Sequence, residues 1–231
     1  MSEPQVPPRD LDDALSRLRA FYGPQPLPPR DPFALYVWEV MNFHAAPLKR
    51  EAALAALRRI PALTPDSIWK TPLAKLEAAA GMAGPYLDER VRALRAGADV
   101  FRRNPALVKA ITGPALGARR ALKRLPQLGA SGTARMHLFA GDWPIIPVDA
   151  VTARVVVRLG LCAAEADVRR QARRVGCVLD ALVPRDLETR RRVVQLLEHH
   201  GQSTCVEFDP HCGVCPLADR CAFAAARQGE G

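Results

Sequence analysis

Apolar residues recur with a helical period along almost the whole chain, and prolines, glycines and capping residues mark where each run stops. Leu11, Leu15 and Leu18, with Phe21 close by, make one apolar face, which the run from Gly23 to Pro29 brings to an end. Asp31-Pro32 reads as the N-cap and first turn of a second helix. Its body, Phe33 to Phe43, is apolar on nearly every side, the pattern of a helix buried at the centre of a fold. Pro47, Thr64-Pro65 and Thr71-Pro72 punctuate three short helices. Gly81-Met82-Ala83-Gly84-Pro85 is a turn, with a long helix after it from about Leu87 to Arg102. Another helix is expected from about Pro114 to Leu125, and a further one after Pro126-Gln127-Leu128-Gly129, reaching about Gly141. Trp143 to Pro147 reads as an extended link. From Asp149 to about His200 the pattern predicts three helices, after which a cysteine loop closes the chain. No segment alternates as a strand does, and there is no internal repeat or low-complexity linker. The chain is expected to be all-α.

Composition narrows the class. The 231 residues, 48% hydrophobic and 6% aromatic, suit a soluble globular protein with an ample core. No apolar run approaches the length that spans a membrane, and the N-terminus lacks the apolar stretch of a signal peptide, so a cytoplasmic protein is expected. The net charge of +9 points to a polyanionic partner, nucleic acid first. The excess is mostly Arg, clustered at Arg169, Arg170, Arg173 and Arg174 and again at Arg190 to Arg192; a solvated helix face explains each cluster equally well.

Candidate chemistry concentrates in two places. Cys205, Cys212, Cys215 and Cys221 are separated by six, two and five residues. Four thiolates in so short a loop can surround one metal centre, either an iron–sulfur cluster or zinc. Zinc sites usually pair two short knuckles, whereas here one Cys-x-x-Cys has a wider arm on each side, which favours the bulkier [4Fe–4S] cube. Cys162 and Cys177, on apolar helical stretches, read as core thiols. The second place is Leu125 to Asp149, where Leu-Pro-Gln-Leu-Gly joins two helices. Such a hairpin turns backbone N–H groups outward at a helix N-terminus and can hold a phosphate without side-chain charge. Asp149, ahead of Ala-Val-Thr-Ala-Arg-Val, can cap a helix, and N–H donors there would keep its carboxylate ionised.

Taken together, the hairpin, Asp149 and the cysteine spacing resemble the endonuclease III family of helix-hairpin-helix DNA glycosylases. The likeness extends to Pro32-Phe33, Gly81-Met82, His200-Gly201 and Thr204. It implies a two-lobed all-α fold: a six-helix barrel lobe over 32–143, with the helix-hairpin-helix at about 114–141, and an iron–sulfur cluster lobe made of 1–31 plus 144–231. Double-stranded DNA with a damaged or mismatched base is the implied partner, gripped between the lobes by a monomer. The resemblance also implies roles. Asp149 stands at the catalytic aspartate, Gln127, Gly129 and Ser131 in the DNA-binding hairpin, His44 where a side chain fills the gap left by the flipped base, and Met82 in the turn that supplies a wedge.

The departures sharpen this. Ser131 occupies the position of the lysine that forms a Schiff base in bifunctional members, so no β-lyase step is expected. Adenine glycosylases of the family also carry Ser there, together with a Glu inside Glu-Val-Met, matched here by Glu39-Val40-Met41. A lone carboxyl on an apolar helix is costly unless paired or used, and an unpaired one would suit a general acid. Gln127 replaces a hairpin glycine, which strains the turn if positive φ is required there, and Gly132 is expected to loosen the helix that follows. Tyr36 and Phe43 read as core. Two functions remain open on these residues: a monofunctional glycosylase using Asp149, Glu39 and Ser131, or a catalytically weak member that binds damaged or abasic DNA. A zinc or cluster protein with no DNA role is a third.

Overall fold

The computed structural model describes residues 10–60, 63–113 and 115–229. Thirteen α-helices and two short 3₁₀ turns account for their regular structure, and no strand occurs among them. None of the helices is long and apolar enough to cross a membrane. The chain divides into two compact units, one spanning Pro28–Pro147 and the other joining Met1–Leu27 to Val148–Gly231.

In the Pro28–Pro147 unit the helices are α2 (Pro32–Asn42), α3 (Pro47–Arg58), α4 (Pro65–Lys70), α5 (Leu73–Gly81), α6 (Leu87–Arg103), α7 (Ala106–Thr112), α8 (Ala115–Leu122) and α9 (Ala130–Phe139). The expected start signals operate. Asp31 accepts the Ala34 N–H at 2.8 Å ahead of Pro32, and Thr64 and Ser67 form a reciprocal capping box at α4. The expected start of α8 at Pro114 lies outside the described residues. The pattern placed no helix at α7, whose seven residues bury only Leu107 and Ile111, one repeat of the period.

Helix α2 is the centre of this unit. It packs against α3, α6, α7 and α9, and Leu35, Tyr36, Val37 and Met41 are fully buried. Each such side chain contributes roughly 1.5–3 kcal/mol by leaving water. Tyr36 is the exception in kind, because a buried hydroxyl needs acceptors. It donates to the Ala93 carbonyl of α6 at 2.8 Å and lies 3.1 Å from the Pro126 carbonyl of the hairpin. Burial pushes its phenol well above the ordinary range. The ring lies over Gly97 of α6, where a Cβ would stand 2.1 Å from Tyr36 Cε1. The same tyrosine thus ties α2 to α6 and to the residue before Gln127, which adopts the left-handed φ of 61° that the sequence put in question.

The other unit holds α1 (Leu11–Tyr22), α10 (Ala150–Leu159), α11 (Val168–Leu182), α12 (Leu187–Ser203) and α13 (Ala222–Gly229), with 3₁₀ turns at Cys212–Val214 and Ala218–Arg220. Here α10 packs on α11, α12 and α13, while α1 lies on α12. Gly201 lets α10 approach, since a Cβ there would meet Val151 Cγ1 at 2.4 Å. The chain does not close on the cysteine loop as expected but continues into α13, a short Ala-rich helix anchored by Ala224. Two other expectations need correction. Cys177 is exposed, because it lies on the outer side of amphipathic α11, while Cys162 is buried. The Arg190 to Arg192 cluster is not a solvated face: Arg190 is fully buried, bonded to Asp180 at 2.7 Å and to the carbonyls of Val183 and Pro184. Arg169, Arg170 and Arg173 do face solvent.

Two stability predictions follow from these contacts. Gly97→Ala should destabilise the protein by about 3 kcal/mol in denaturant unfolding, because Tyr36 cannot move without losing its two acceptors. Gln127→Gly should do the reverse, raising stability by up to about 1 kcal/mol, since glycine bears positive φ without the Cβ penalty and forfeits only part of that gain as chain entropy.

Candidate functional site

Glu39 is on the only side of α2 that is not sealed, and it is not alone. Arg135 Nε of α9 lies 2.6 Å from Glu39 Oε1, with the arginine side chain 3% exposed and the carboxylate 12%. The contact is a close charge pair rather than a well-aligned hydrogen bond. Both Arg135 and Arg50 lie against the Trp38 ring, their guanidinium carbons 5.4 and 4.6 Å from its centroid. Gly132 serves this arrangement. It is buried, and a Cβ there would come within 3.3 Å of Glu39 Oε2 and 2.9 Å of Leu128 Cδ1. The expectation that Gly132 only loosens its helix is therefore incomplete: it admits the carboxylate. Arg135 was passed over in the sequence, although a cation inside Ala-Arg-Met-His-Leu-Phe, opposite a helix with one acid, was a usable signal. His137, on the same helix, is buried, and that burial lowers its basicity.

The hairpin presents its second helix as expected. Gly129 is the N-cap of α9 with no side chain capping it, and its carbonyl accepts the Thr133 N–H at 2.9 Å. A Cβ built on Gly129 would meet nothing within 4 Å, so the helix start is open in front. Ser131 sits half-buried at the second position of α9, two residues past Gly129. Such a start offers unpaired N–H groups and the positive end of the helix dipole to an anion.

A separate surface of the same unit is aromatic. His44 and Tyr86 both have positive φ, 49° and 69°, and their rings stand 5.0 Å apart, with Phe43 4.5 Å from His44 and 5.4 Å from Tyr86. Phe43, expected in the core, is at the surface with this group, and Met82 is 47% exposed in the adjoining turn. Arg90 holds the two loops together. Fully buried, it donates to the carbonyls of Phe43 at 2.5 Å, Gly84 at 3.0 Å, Pro85 and Ala83. Desolvation lowers its basicity, and the carbonyls supply the acceptors that a buried cation requires. Neither Tyr86 nor Arg90 stood out in the sequence, where each belonged to an ordinary helix start.

In the other unit, Asp149 is the N-cap of α10, and its carboxylate accepts the Thr152 N–H at 2.7 Å. The same helix carries the cysteine loop at its far end. Arg154 donates to the carbonyls of Gly201 and Cys205, and Arg158 to those of Val206 and Glu207, at 2.6 to 3.1 Å. Arg158 also stacks on Phe223, 4.4 Å from the ring centroid. All four cysteines of the quartet line one cavity, walled by Val155, Leu159, Leu217 and Phe223. Among the described residues no group of three or more His, Cys, Asp or Glu side chains is arranged to hold a metal ion. Burial first, and the neighbouring sulfurs after it, push the Cys215 and Cys221 thiols up. His200 stands 4.0 Å from Cys215 Sγ, with its other ring nitrogen 2.8 Å from the Tyr22 hydroxyl; burial pushes this imidazole down to about 4.

No family model matches the chain, and no curated protein matches it. Solved structures do. A non-covalent endonuclease III–DNA complex is similar over 95% of this chain and 97% of its own, with a TM-score of 0.70 and 22% identity. A thermostable thymine-DNA glycosylase is similar over 93% and 96%, with a TM-score of 0.67 and 18% identity. The H. pylori 3-methyladenine DNA glycosylase bound to 1,N6-ethenoadenine is similar over 86% and 100%, with a TM-score of 0.63 and 11% identity. The helix order, the hairpin and this near-complete overlap establish that the chain has the all-α, endonuclease III-like helix-hairpin-helix DNA glycosylase fold.

Proposed function

We propose that this chain is a monofunctional DNA N-glycosylase, acting as a monomer on double-stranded DNA that carries a damaged or mismatched base. The observation that carries the reading is Asp149, a carboxylate held at a helix start by the Thr152 N–H in a chain with this fold. Breaking the N-glycosidic bond leaves positive charge on the sugar, and a fixed carboxylate stabilises that charge. Water then adds to C1′, and its proton passes to the departing base. Glu39 is the group proposed to relay that proton. Arg135, 2.6 Å from its carboxylate, fixes the orientation of Glu39. Ser131 has no amine with which to form an imine, so hydrolysis ends the reaction. The start of α9 at Gly129 and Ser131, with Gln127 in the turn before it, would take a backbone phosphate. His44 and Met82, joined now by Phe43 and Tyr86, would stack on the bases that frame the gap.

A [4Fe–4S] cluster is proposed on Cys205, Cys212, Cys215 and Cys221. The donor set fits: four thiols line the cavity, with the imidazoles of His200 and His211 beside them and no carboxylate, and the Leu217 N–H and Arg158 point at Sγ atoms. The iron would reverse the penalty that burial places on the thiolates. Held by the four thiolates, the cluster would cross-link the loop that Arg154 and Arg158 hold against α10. A cytoplasmic location, on the nucleoid during repair, is part of the same proposal.

The catalytically weak reading draws on Gln127, whose left-handed backbone reshapes the hairpin, and on Arg135, which neutralises Glu39. One experiment separates the two. A panel of lesion and mismatch duplexes, followed by alkali, should reveal abasic sites on at least one substrate, falling about a hundredfold or more in Asp149→Asn. Release no higher than in that variant, with tight binding retained, would select the binding reading. Borohydride should trap no covalent DNA adduct; an adduct would return an amine such as Lys123 to the mechanism. Fresh protein should be brown, with iron and sulfide in equal amounts, and colourless protein with bound zinc would reject the cluster.

A further inference from the structure

Between the end of α3, α4 and the length of α5 the Pro28–Pro147 unit has an open groove of about 640 Å³. Its floor is apolar, with Ala56, Ile60, Ala78 and Ala79 among the lining. Arg59, Lys70 and Lys75 line it too, all exposed, and no carboxylate joins them. Three cations facing one concavity repel one another unless an anion shares it. They are not drawn off elsewhere, since none of the three has an acidic partner among the described residues. Other basic residues of this unit do: Arg92 pairs with Glu89, Arg102 and Arg103 with Asp99, and Arg30 with Asp142. At the end of α4 the carbonyls of Ile68, Trp69 and Thr71 already accept from Arg95.

One residue identifies the occupant. Met82 lines the groove and is also the exposed apolar side chain of the turn that Arg90 ties to His44 and Tyr86. The groove is therefore continuous with the surface assigned above to the bases around the gap. We propose that it is a second DNA-backbone site, which takes two or three consecutive phosphates of the duplex beside the Met82 wedge. Arg59, Lys70 and Lys75 contact those phosphates, and the sugars lie along the apolar floor. The inference rests on the proposal that the chain acts on duplex DNA, and it adds a site remote from the hairpin. Phosphate contacts of this kind fix register without reading sequence, which suits an enzyme that must hold a duplex firmly while one base leaves it.

The test uses the full chain and the triple variant Arg59→Gln, Lys70→Gln, Lys75→Gln, with binding measured on a lesion duplex at several salt concentrations. The variant should bind at least tenfold more weakly near physiological salt, and its log–log salt slope should be shallower by about 2 to 3, roughly 0.9 for each phosphate lost. Single neutral methylphosphonates, walked along both strands, give the local readout. Two or three adjacent positions should weaken the wild type and leave the variant unaffected. If the variant shows the wild-type methylphosphonate pattern, the groove does not hold DNA and the proposal falls, even where affinity drops through the general loss of charge. Unchanged binding that is instead competed by an acidic peptide would overturn it in favour of a protein partner. A wild type that binds no duplex at all would overturn the glycosylase reading as well, so the two failures are distinct.

Discussion

A buried helix that carries polar groups must bring their partners into the core with it, and α2 does this twice. Tyr36 and Glu39 are three residues apart and so lie near one another on the helix surface. The phenol reaches Ala93 of α6 and Pro126 of the hairpin, and the carboxylate reaches Arg135 on the hairpin's second helix. Each contact needs close approach, and a glycine stands at each: Gly97 under the tyrosine ring and Gly132 beside the carboxylate. The hairpin is therefore set against α2 by two polar contacts on either side of its turn. A shift of either helix would leave a hydroxyl, two carbonyls or an ion unpaired in the interior, at a cost of several kcal/mol.

The other unit solves a similar problem with a different helix. Gly201 admits α10 to α12, and α10 then serves both of its ends. Asp149 closes the N-terminal end, while Arg154 and Arg158, one turn apart, bind the carbonyls of residues 201 to 207. The cysteine loop is thus secured to the helix whose first turn holds the Asp149 carboxylate. Loss of the loop would free Arg154, whose basicity burial already lowers, and would loosen the seat of Asp149 without touching it. The cysteine loop and the Asp149 carboxylate are therefore mechanically linked through one helix.

What was legible in the sequence is what short-range chemistry decides. Asp31-Pro32, Thr64-Pro65 and Asp149 announce helix starts because the cap and the N–H groups it satisfies lie within four residues of one another. The four cysteines were legible as one group because they are close along the chain, and they line one cavity. Arg135, Arg90 and Tyr86 were not, because their partners are distant along the chain: Arg135 and Glu39 are separated by 96 positions, Arg90 and Phe43 by 47. A buried arginine and a solvated one look alike in sequence, as Arg190 beside Arg192 shows. The length of α7 hid it, since one apolar repeat does not establish a period.

Strain completes the account of this fold. Among the non-glycine residues with positive φ are His44, Tyr86 and Gln127, each of which costs of order 1–2 kcal/mol against the usual backbone. Such conformations persist only where the surroundings over-determine them, and all three adjoin a buried pin. Arg90 grips the carbonyl of Phe43, next to His44, and that of Pro85, next to Tyr86; Tyr36 grips that of Pro126, next to Gln127. The pins hold backbone, so none of them uses the strained residue's own side chain. For His44 and Tyr86 the side chains are exposed rings held 5.0 Å apart, so little entropy remains to be lost in fixing their spacing. For Gln127 glycine would adopt the same turn without strain, so what the strain sustains is an exposed amide side chain in the turn between the two helices.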